Sequence, residues 1–332
     1  MMQFQLKPNM PFITSAQPAV IVILGPTASG KSAFALALAK KIGAEIISAD
    51  SRQVYRELNI GVAKPPQEAL QEVKHHFVDE KQIREPFSAG DFAAEAIERI
   101  REIHNRGKRA IIAGGSTLYL EGVLKGFADL PPANAEIRGR LLLELENIGK
   151  EPLYERLCLR DPVQAATLDP TKTQRLIRSL EIIEITGTSV TALLAKQNKR
   201  HTGLHFFTTG LSVSREMLYQ RINQRTDEMI EAGLCLEAEQ LYDKYREILA
   251  DKRTTALQSV GYQELFNYFD GAINFAEALK LIKQHTRNYA KRQLTFFNNR
   301  LAVNWINVPE KSHDLDIFVN SFEQKMAKCF SL

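Results

Sequence analysis

Cysteine is scarce in this 332-residue chain: Cys158, Cys235 and Cys329 lie far apart, with no C-x-x-C pair. That excludes a disulfide framework and a zinc site of ordinary spacing, and implies a reducing, cytoplasmic compartment. Long apolar runs are also missing, and none reaches the roughly 18 residues of a membrane helix. The first 18 residues are interrupted by Pro8, Pro11 and Pro18. They lack the basic head and apolar stretch of a secretion signal and read as a mobile tail. Internal repeats and low-complexity tracts are absent. Neither charge dominates: 43 Lys and Arg against 39 Asp and Glu give +4. With 44% apolar and 25% charged residues, the chain is an ordinary globular protein. Its length allows about two domains of roughly 150 residues each.

The positive charge is local. From Ala276 to Arg300 one acid, Glu277, stands against Lys280, Lys283, Arg287, Lys291, Arg292 and Arg300. That segment alone exceeds the excess of the whole chain.

Hydrophobic patterning predicts a parallel sheet flanked by helices. Residues 19–24 (AVIVIL) form a short β-branched run ending in Gly25-Pro26, as a buried strand does. A helix follows from Lys31 to Ile42, closed by Gly43, then a strand from Glu45 to Ala49. Ala89–Arg106 has helical spacing, and Arg109–Ala113 is a third strand running into Gly114-Gly115. The alternation stops near Asp129-Leu130-Pro131-Pro132. Residues 133–200 read as all-helical, with turns at Gly149 and Asp169-Pro170, before one more strand at His205–Leu211. From Arg215 to about Asn299 the pattern is again helical. The expected fold is α/β, a P-loop NTPase-like parallel sheet with a helical insertion and a helical C-terminal region. Its expected parts are a tail (1–18), a P-loop core (19–128), an insertion (129–200), and a final core strand with a C-terminal helical region (201–332).

Gly25-Pro26-Thr27-Ala28-Ser29-Gly30-Lys31-Ser32 fits G-x-x-x-x-G-K-[ST] between a strand and a helix, the context this phosphate loop requires. Glycines let backbone N–H groups curl round an anion, and the helix N-terminus favours negative charge. Lys31 neutralises phosphate, and Ser32 is a candidate Mg²⁺ ligand. The loop announces a polyphosphate without naming it. Asp50 ends the second strand, at the sheet edge where ligands bind. Position alone leaves it three roles: metal ligand, general base, or N-cap of the next segment. His75, His76 and Asp79 complete no metal-ligand spacing and read as structural. Ser48 and Ser51 become nucleophiles only if a histidine approaches.

The segments GPTASGKS (25–32), ISADSRQVY (47–55), IGVAKP (60–65), HHFVD (75–79) and the helix start at Ser88–Phe92 are followed by IIAGGSTLY (111–119). QRLIRSLEI (174–182), RINQRTDEMIEAG (221–233), QSVGYQE (258–264) and KRQLTFF (291–297) come after. In this order they closely resemble the bacterial tRNA dimethylallyltransferase family, from about residue 19 to 300. The phosphate loop is unspecific, whereas ADSRQVY, GGSTLY and SVGYQE together are specific.

The resemblance implies prenyl transfer. The loop residues 25–32 would hold the diphosphate of dimethylallyl diphosphate, and the exocyclic amine of an adenine beside the anticodon would displace it. That amine is a poor nucleophile, so a carboxylate accepting its proton helps, a role the resemblance gives to Asp50. Lys31, the loop amides, Mg²⁺ on Ser32 and an arginine would stabilise the leaving diphosphate. Thr27 brings a hydroxyl near the phosphates. Arg221 and Arg225, four apart on one helix face, could both reach back, Arg225 being favoured.

On the RNA side, the target adenine must leave its stack to enter a pocket. Lys280, Lys283, Arg287 and Lys291 form one helical stripe, with Tyr289, Phe296 and Phe297 at other angles of the same helix. The alternative is a solvated charged face with the aromatics in the core. The resemblance assigns tRNA contacts to Asp50, Ser51, Arg52 and Gln53, and to Ser116 and Arg138. It extends them to Gln174, Arg175, Leu176, Ile177 and Arg178, and to Gln258, Ser259, Val260, Gly261, Tyr262 and Gln263. Lys291, Arg292, Gln293, Leu294, Thr295, Phe296, Phe297 and Asn298 complete the set. Three positions depart from the family pattern: Ser116 replaces threonine, QSVGYQ lacks two possible charges of R-x-VGYR, and Phe296 replaces tryptophan. The partners implied are a tRNA anticodon stem-loop and dimethylallyl diphosphate, acting on a monomer away from membranes. Competing readings are a prenyltransferase for free adenine nucleotides, a small-molecule or nucleotide kinase, and a P-loop RNA-binding switch. The kinase and the free-nucleotide enzyme leave the basic C-terminal third without a role.

Overall fold

Val20–Leu24 (β1) carries five apolar residues with no polar alternation, because both faces of a parallel strand are covered. Val20, Val22 and Leu24 enter one hydrophobic cluster, while Ile21 and Ile23 enter another on the opposite face. The same split sends Ile47 and Ala49 of β2 (Ala44–Ala49) one way and Ala44 and Ile46 the other. These features come from a computed structural model describing residues 19–128, 130–169, 173–196, 202–249, 255–309 and 314–330. The expected tail (1–18), Asp129 at the expected boundary and Pro170 of the expected turn lie outside the described residues.

Between β1 and β2 runs α1 (Lys31–Ile42), closed by Gly43 at φ 64°. Then follow α2 (Gln67–Glu72), β3 (His75–His76), α3 (Ala89–Asn105), β4 (Arg109–Gly114) and α4 (Thr117–Lys125). Ser88 and Asp91 cap α3 reciprocally, each side chain accepting the other's backbone N–H. Five helices come next: α5 (Ala135–Ile148), α6 (Lys150–Arg160), α7 (Pro162–Thr167), α8 (Thr173–Thr186) and α9 (Val190–Ala195). After them stand β5 (Phe206–Ser212), α10 (Arg215–Glu231), α11 (Leu234–Leu249), α12 (Tyr262–Phe269), the 26-residue α13 (Phe275–Arg300), β6 (Asn304–Asn307) and α14 (Leu315–Phe330).

The six strands are all parallel, in the order β3-β2-β4-β1-β5-β6. The chain divides into two units, Met1–Lys125 with Thr202–Leu332, and Gly126–His201. The second has its own core, built on Leu141, Leu153, Leu157, Leu180 and Ile183.

One expectation is corrected. The strand at 206–212 is not the last: β6 pairs with it, and α14 packs Phe318 and Phe322 against Phe34 of α1 at 5.1 and 5.2 Å. Residues 304–330 thus complete the sheet and cover one face of it. Gly210 makes room for β6, since a Cβ there would lie 2.5 Å from the Trp305 ring.

Candidate active site

The carboxyl ends of β1, β2 and β4 converge on one edge, as in open α/β sheets generally. From β1 the loop Gly25–Gly30 curls into α1, with Ala28 at φ 62° and Gly30 at φ 87°. A Cβ on Gly25 would lie 2.7 Å from Ser29 Oγ and 3.2 Å from the Leu211 carbonyl oxygen, so only glycine fits. Among the described residues the buried Ser29 hydroxyl has no hydrogen-bond partner. Pro26 is buried, Thr27 and Ala28 are half-buried, and Ser32 is exposed on the first turn of α1.

Lys31 is half-buried and donates from Nζ to the Pro26 carbonyl at 3.0 Å. Burial brings its pKa from 10.5 down to about 8, the Arg225 charge pushes the same way, and Asp50 opposes them. Burial also lowers Arg225, again against Asp50. Asp50 directly after β2, Lys31 of α1 and Arg225 of α10 therefore form one electrostatic group. Arg221 is half-buried one turn earlier on α10.

Asp50 Oδ1 accepts the backbone N–H of Arg52 at 2.9 Å and of Gln53 at 3.4 Å. It is a turn cap. Both bonds fall on Oδ1; among the described residues none falls on Oδ2.

The segment after Asp50 is held from several directions. Ser51 N–H donates to Ser116 Oγ at 2.9 Å, and Ser116 N–H donates to the Ala49 carbonyl at 3.0 Å. Arg52 Nε donates to Ser259 Oγ at 2.7 Å. Buried Gln53 accepts from Ser48 Oγ at 2.9 Å and donates to the Ala63 carbonyl at 3.0 Å. Ser48 is thereby used in structure. So are the histidines: His76 Nε2 meets Glu45 at 2.7 Å and His75 Nδ1 meets the Val73 carbonyl at 2.8 Å.

The two glycines after β4 have different reasons. A Cβ on Gly114 would overlap the Ala49 carbonyl, whereas one on Gly115 would lie 2.5 Å from Gln293 Nε2. Gln293 is buried, accepts Thr27 N–H at 2.9 Å and donates to the Gly115 carbonyl at 2.8 Å.

Several residues expected at an RNA surface are placed elsewhere. Tyr262 and Phe297 are fully buried, and Leu176 and Ile177 are core residues of the 126–201 unit. Their side chains hold the fold and cannot present an RNA surface. Gln293 faces the phosphate loop. Tyr262 donates to Glu237 at 2.5 Å, and Glu237 also accepts the N–H of Ile60 at 2.9 Å and of Gly61 at 3.1 Å. Gly261, at φ 103°, donates its N–H to Glu264 at 2.7 Å. Phe296 packs against the core, and Leu294 joins Leu218, Ile222 and Ala28 in a small apolar cluster.

Lys291, Arg292, Thr295, Asn298 and Gln263 are exposed, while Gln258 and Val260 are half-buried. Of the four aromatics of α13, Phe275, Tyr289, Phe296 and Phe297, only Tyr289 is more than a third exposed, with Arg292 over its ring at 5.8 Å. Its phenol is pushed up to about 12, by burial first and by the Asp50 charge second. The basic stripe is partly spent on α10: Lys283 pairs with Asp227 at 2.6 Å and Arg287 with Asn223 at 2.6 Å. Within the 126–201 unit, Arg138 and Arg178 bind the buried Glu181 at 2.6 and 2.9 Å, while Gln174 and Arg175 are exposed.

A family model described as IPP transferase matches residues 53–300. The chain belongs to the IPP transferase family. A tRNA dimethylallyltransferase of Pelodictyon phaeoclathratiforme is 69% identical over 301 residues, covering 90% of this chain and 95% of its own. One from Chlorobaculum parvum is 59% identical over 312 residues, covering 94% and 100%. Family members of known structure share the fold. The full-length tRNA isopentenylpyrophosphate transferase of Bacillus halodurans aligns at TM-score 0.66 and 35% identity, over 94% of this chain and 97% of its own. A eukaryotic dimethylallyltransferase captured acting on tRNA aligns at TM-score 0.75 and 26% identity, over 93% and 79%.

Proposed function

We propose that the chain transfers a dimethylallyl group from dimethylallyl diphosphate to the exocyclic amine of an adenosine next to the tRNA anticodon. Diphosphate is released. The observation that carries this reading is the grouping of Asp50, Lys31 and Arg225 beside the phosphate loop. A C–N bond forms at the allylic carbon as the C–O bond to diphosphate breaks. The electron pair leaves on the diphosphate oxygen, and the amine proton passes to Asp50 Oδ2. Lys31, Arg225 and the amides of the loop meet the charge that builds on the leaving group.

Mg²⁺ fits this site as a shared ion. Among the described residues no cluster of three or more His, Cys, Asp or Glu could hold a metal alone. The exposed Ser32 hydroxyl would supply a ligand, beside diphosphate oxygens and waters, as Mg²⁺ commonly binds. When bound, the ion neutralises leaving-group charge. Lys291, Arg292, Thr295 and Asn298 offer an open polar face on α13 for RNA phosphates. No helix among the described residues is long and apolar enough to cross a membrane. The reading has the enzyme acting as a monomer in the cytoplasm.

The test is mass spectrometry of nucleosides from unmodified tRNA after incubation with the protein, Mg²⁺ and dimethylallyl diphosphate. A prenyl mass on adenosine is expected. No added mass, with ATP consumed instead, refutes the reading in favour of a kinase or ATPase.

A further inference from the structure

We infer that Gln293 is a positioning residue for the diphosphate loop, acting from α13 through Thr27 and Gly115. The inference rests on the reading of that loop as the diphosphate site. The buried residues of α13 are otherwise small or apolar: Ala278, Ile282, Ala290 and Phe297. Gln293 sits among them, three residues after Ala290 and four before Phe297, where an apolar side chain would ordinarily stand. Burying a carboxamide there is costly unless its bonds are made. They are made to two segments far apart in sequence, the Thr27 amide and the Gly115 carbonyl.

The consequence falls on the anion site. Thr27 N–H is turned towards Gln293, so the cradle is left to the later amides of the loop. Pro26, the residue before Thr27, supplies the carbonyl that holds Lys31 Nζ. On the other side, a Cβ on Gly115 would lie 3.5 Å from Lys31 Cε. The carboxamide thus fixes two of the walls between which the lysine stem runs. Gly115 must lack a Cβ for the carboxamide to reach its carbonyl.

Two variants test this from opposite sides. Gln293→Leu removes both bonds at similar volume. Gly115→Ala puts a methyl 2.5 Å from Gln293 Nε2 and displaces the carboxamide without altering α13. The readouts are KM for dimethylallyl diphosphate at saturating tRNA, the inhibition constant of inorganic diphosphate, and the Kd of unmodified tRNA by filter binding. Both diphosphate constants are expected to rise about tenfold in each variant, as loss of one or two net hydrogen bonds predicts. The tRNA Kd should stay within about twofold. A role confined to folding lowers the active fraction, hence kcat, and leaves both diphosphate constants unchanged; that result overturns the inference. So does a rise in the tRNA Kd alone, which makes Gln293 an RNA contact. If the wild-type protein forms no prenyl product, the proposed function falls first. Calorimetry with inorganic diphosphate and Mg²⁺ then decides the positioning role, equal affinities for wild type and Gln293→Leu overturning it.

Discussion

Asp50 caps a turn in the fold and is the proposed base, and two substitutions separate these roles. Its Oδ1 accepts from Arg52 and Gln53 N–H, while Oδ2 is the oxygen proposed to take the amine proton. Asp50→Asn keeps an amide oxygen for the cap and removes the base. Asp50→Ala removes both. Loss of a general base costs about 10²–10⁴ in rate, or about 2.7–5.4 kcal/mol of barrier. Loss of the cap costs about 1 kcal/mol of stability, equivalent to about 2–4 °C in Tm. The expected pattern is a kcat reduced about 10²–10⁴-fold in both variants, with a Tm near wild type for Asn and lower for Ala. The Asn variant carries a further signature. The Asp50 charge holds the Lys31 pKa up against burial and Arg225, so its removal moves the alkaline limb of the pH profile to lower pH. Single-turnover prenyl transfer measures kcat, and calorimetry gives Tm. An Asn variant with near-normal kcat and an inactive, destabilised Ala variant would mean that Asp50 is a cap only.

Other expectations rest on the same contacts. Lys31, brought down to about 8, loses its proton above that pH in the free protein. Affinity for dimethylallyl diphosphate should therefore fall about tenfold per pH unit above 8, read from KM between about pH 7 and 10. For stability the sign is opposite: the charged lysine is a cost below about 8, relieved as pH rises from there towards its unfolded value of 10.5. Glu45 is buried, and although burial raises it, His76, Lys108 and Arg106 bring it from 4.5 to about 2. Its stabilising contribution is complete above 4.5 and is lost as pH falls towards 2; Glu45→Ala should lower stability by about 3 kcal/mol at neutral pH and flatten the acid limb of a urea-denaturation series. Glu237→Ala leaves Ile60 N–H, Gly61 N–H and the Tyr262 hydroxyl without their acceptor, at about 2–3 kcal/mol. Thermal unfolding should show that loss, with no change in tRNA Kd if Tyr262 only supports the fold.

Much of the site was legible in the sequence because its parts are local. Strand, glycine turn, lysine and helix lie within Val20–Ile42, and Asp50 comes directly after β2. The strand order was not legible, since β1 takes partners from both sides of the 126–201 unit. β3 is two residues long and β6 only four, flanked by asparagines, too short for periodicity to register. The burial of Gln293 was hidden for a different reason. Its neighbours Lys291, Arg292, Thr295 and Asn298 are exposed, and the segment reads as one polar surface. Only its angle on the helix, in register with Ala290 and Phe297, marks it as inward-facing. Glu237 carries no such mark. Its three donors come from Ile60, Gly61 and Tyr262, and nothing in the spacing joins them.

The pairing of β1 with β5 sets a clock on biosynthesis. Val20 waits for Phe206, about 190 residues later, which at 5–20 residues per second is about 10–40 s of translation. Meanwhile β4 covers one side of β1, and the other side of the VIVIL strand stays open, the kind of edge that recruits other chains. The 126–201 unit, with its own core, can fold during the wait. Nascent chains halted before Phe206 should therefore be chaperone clients, and those released after Asn307 should not.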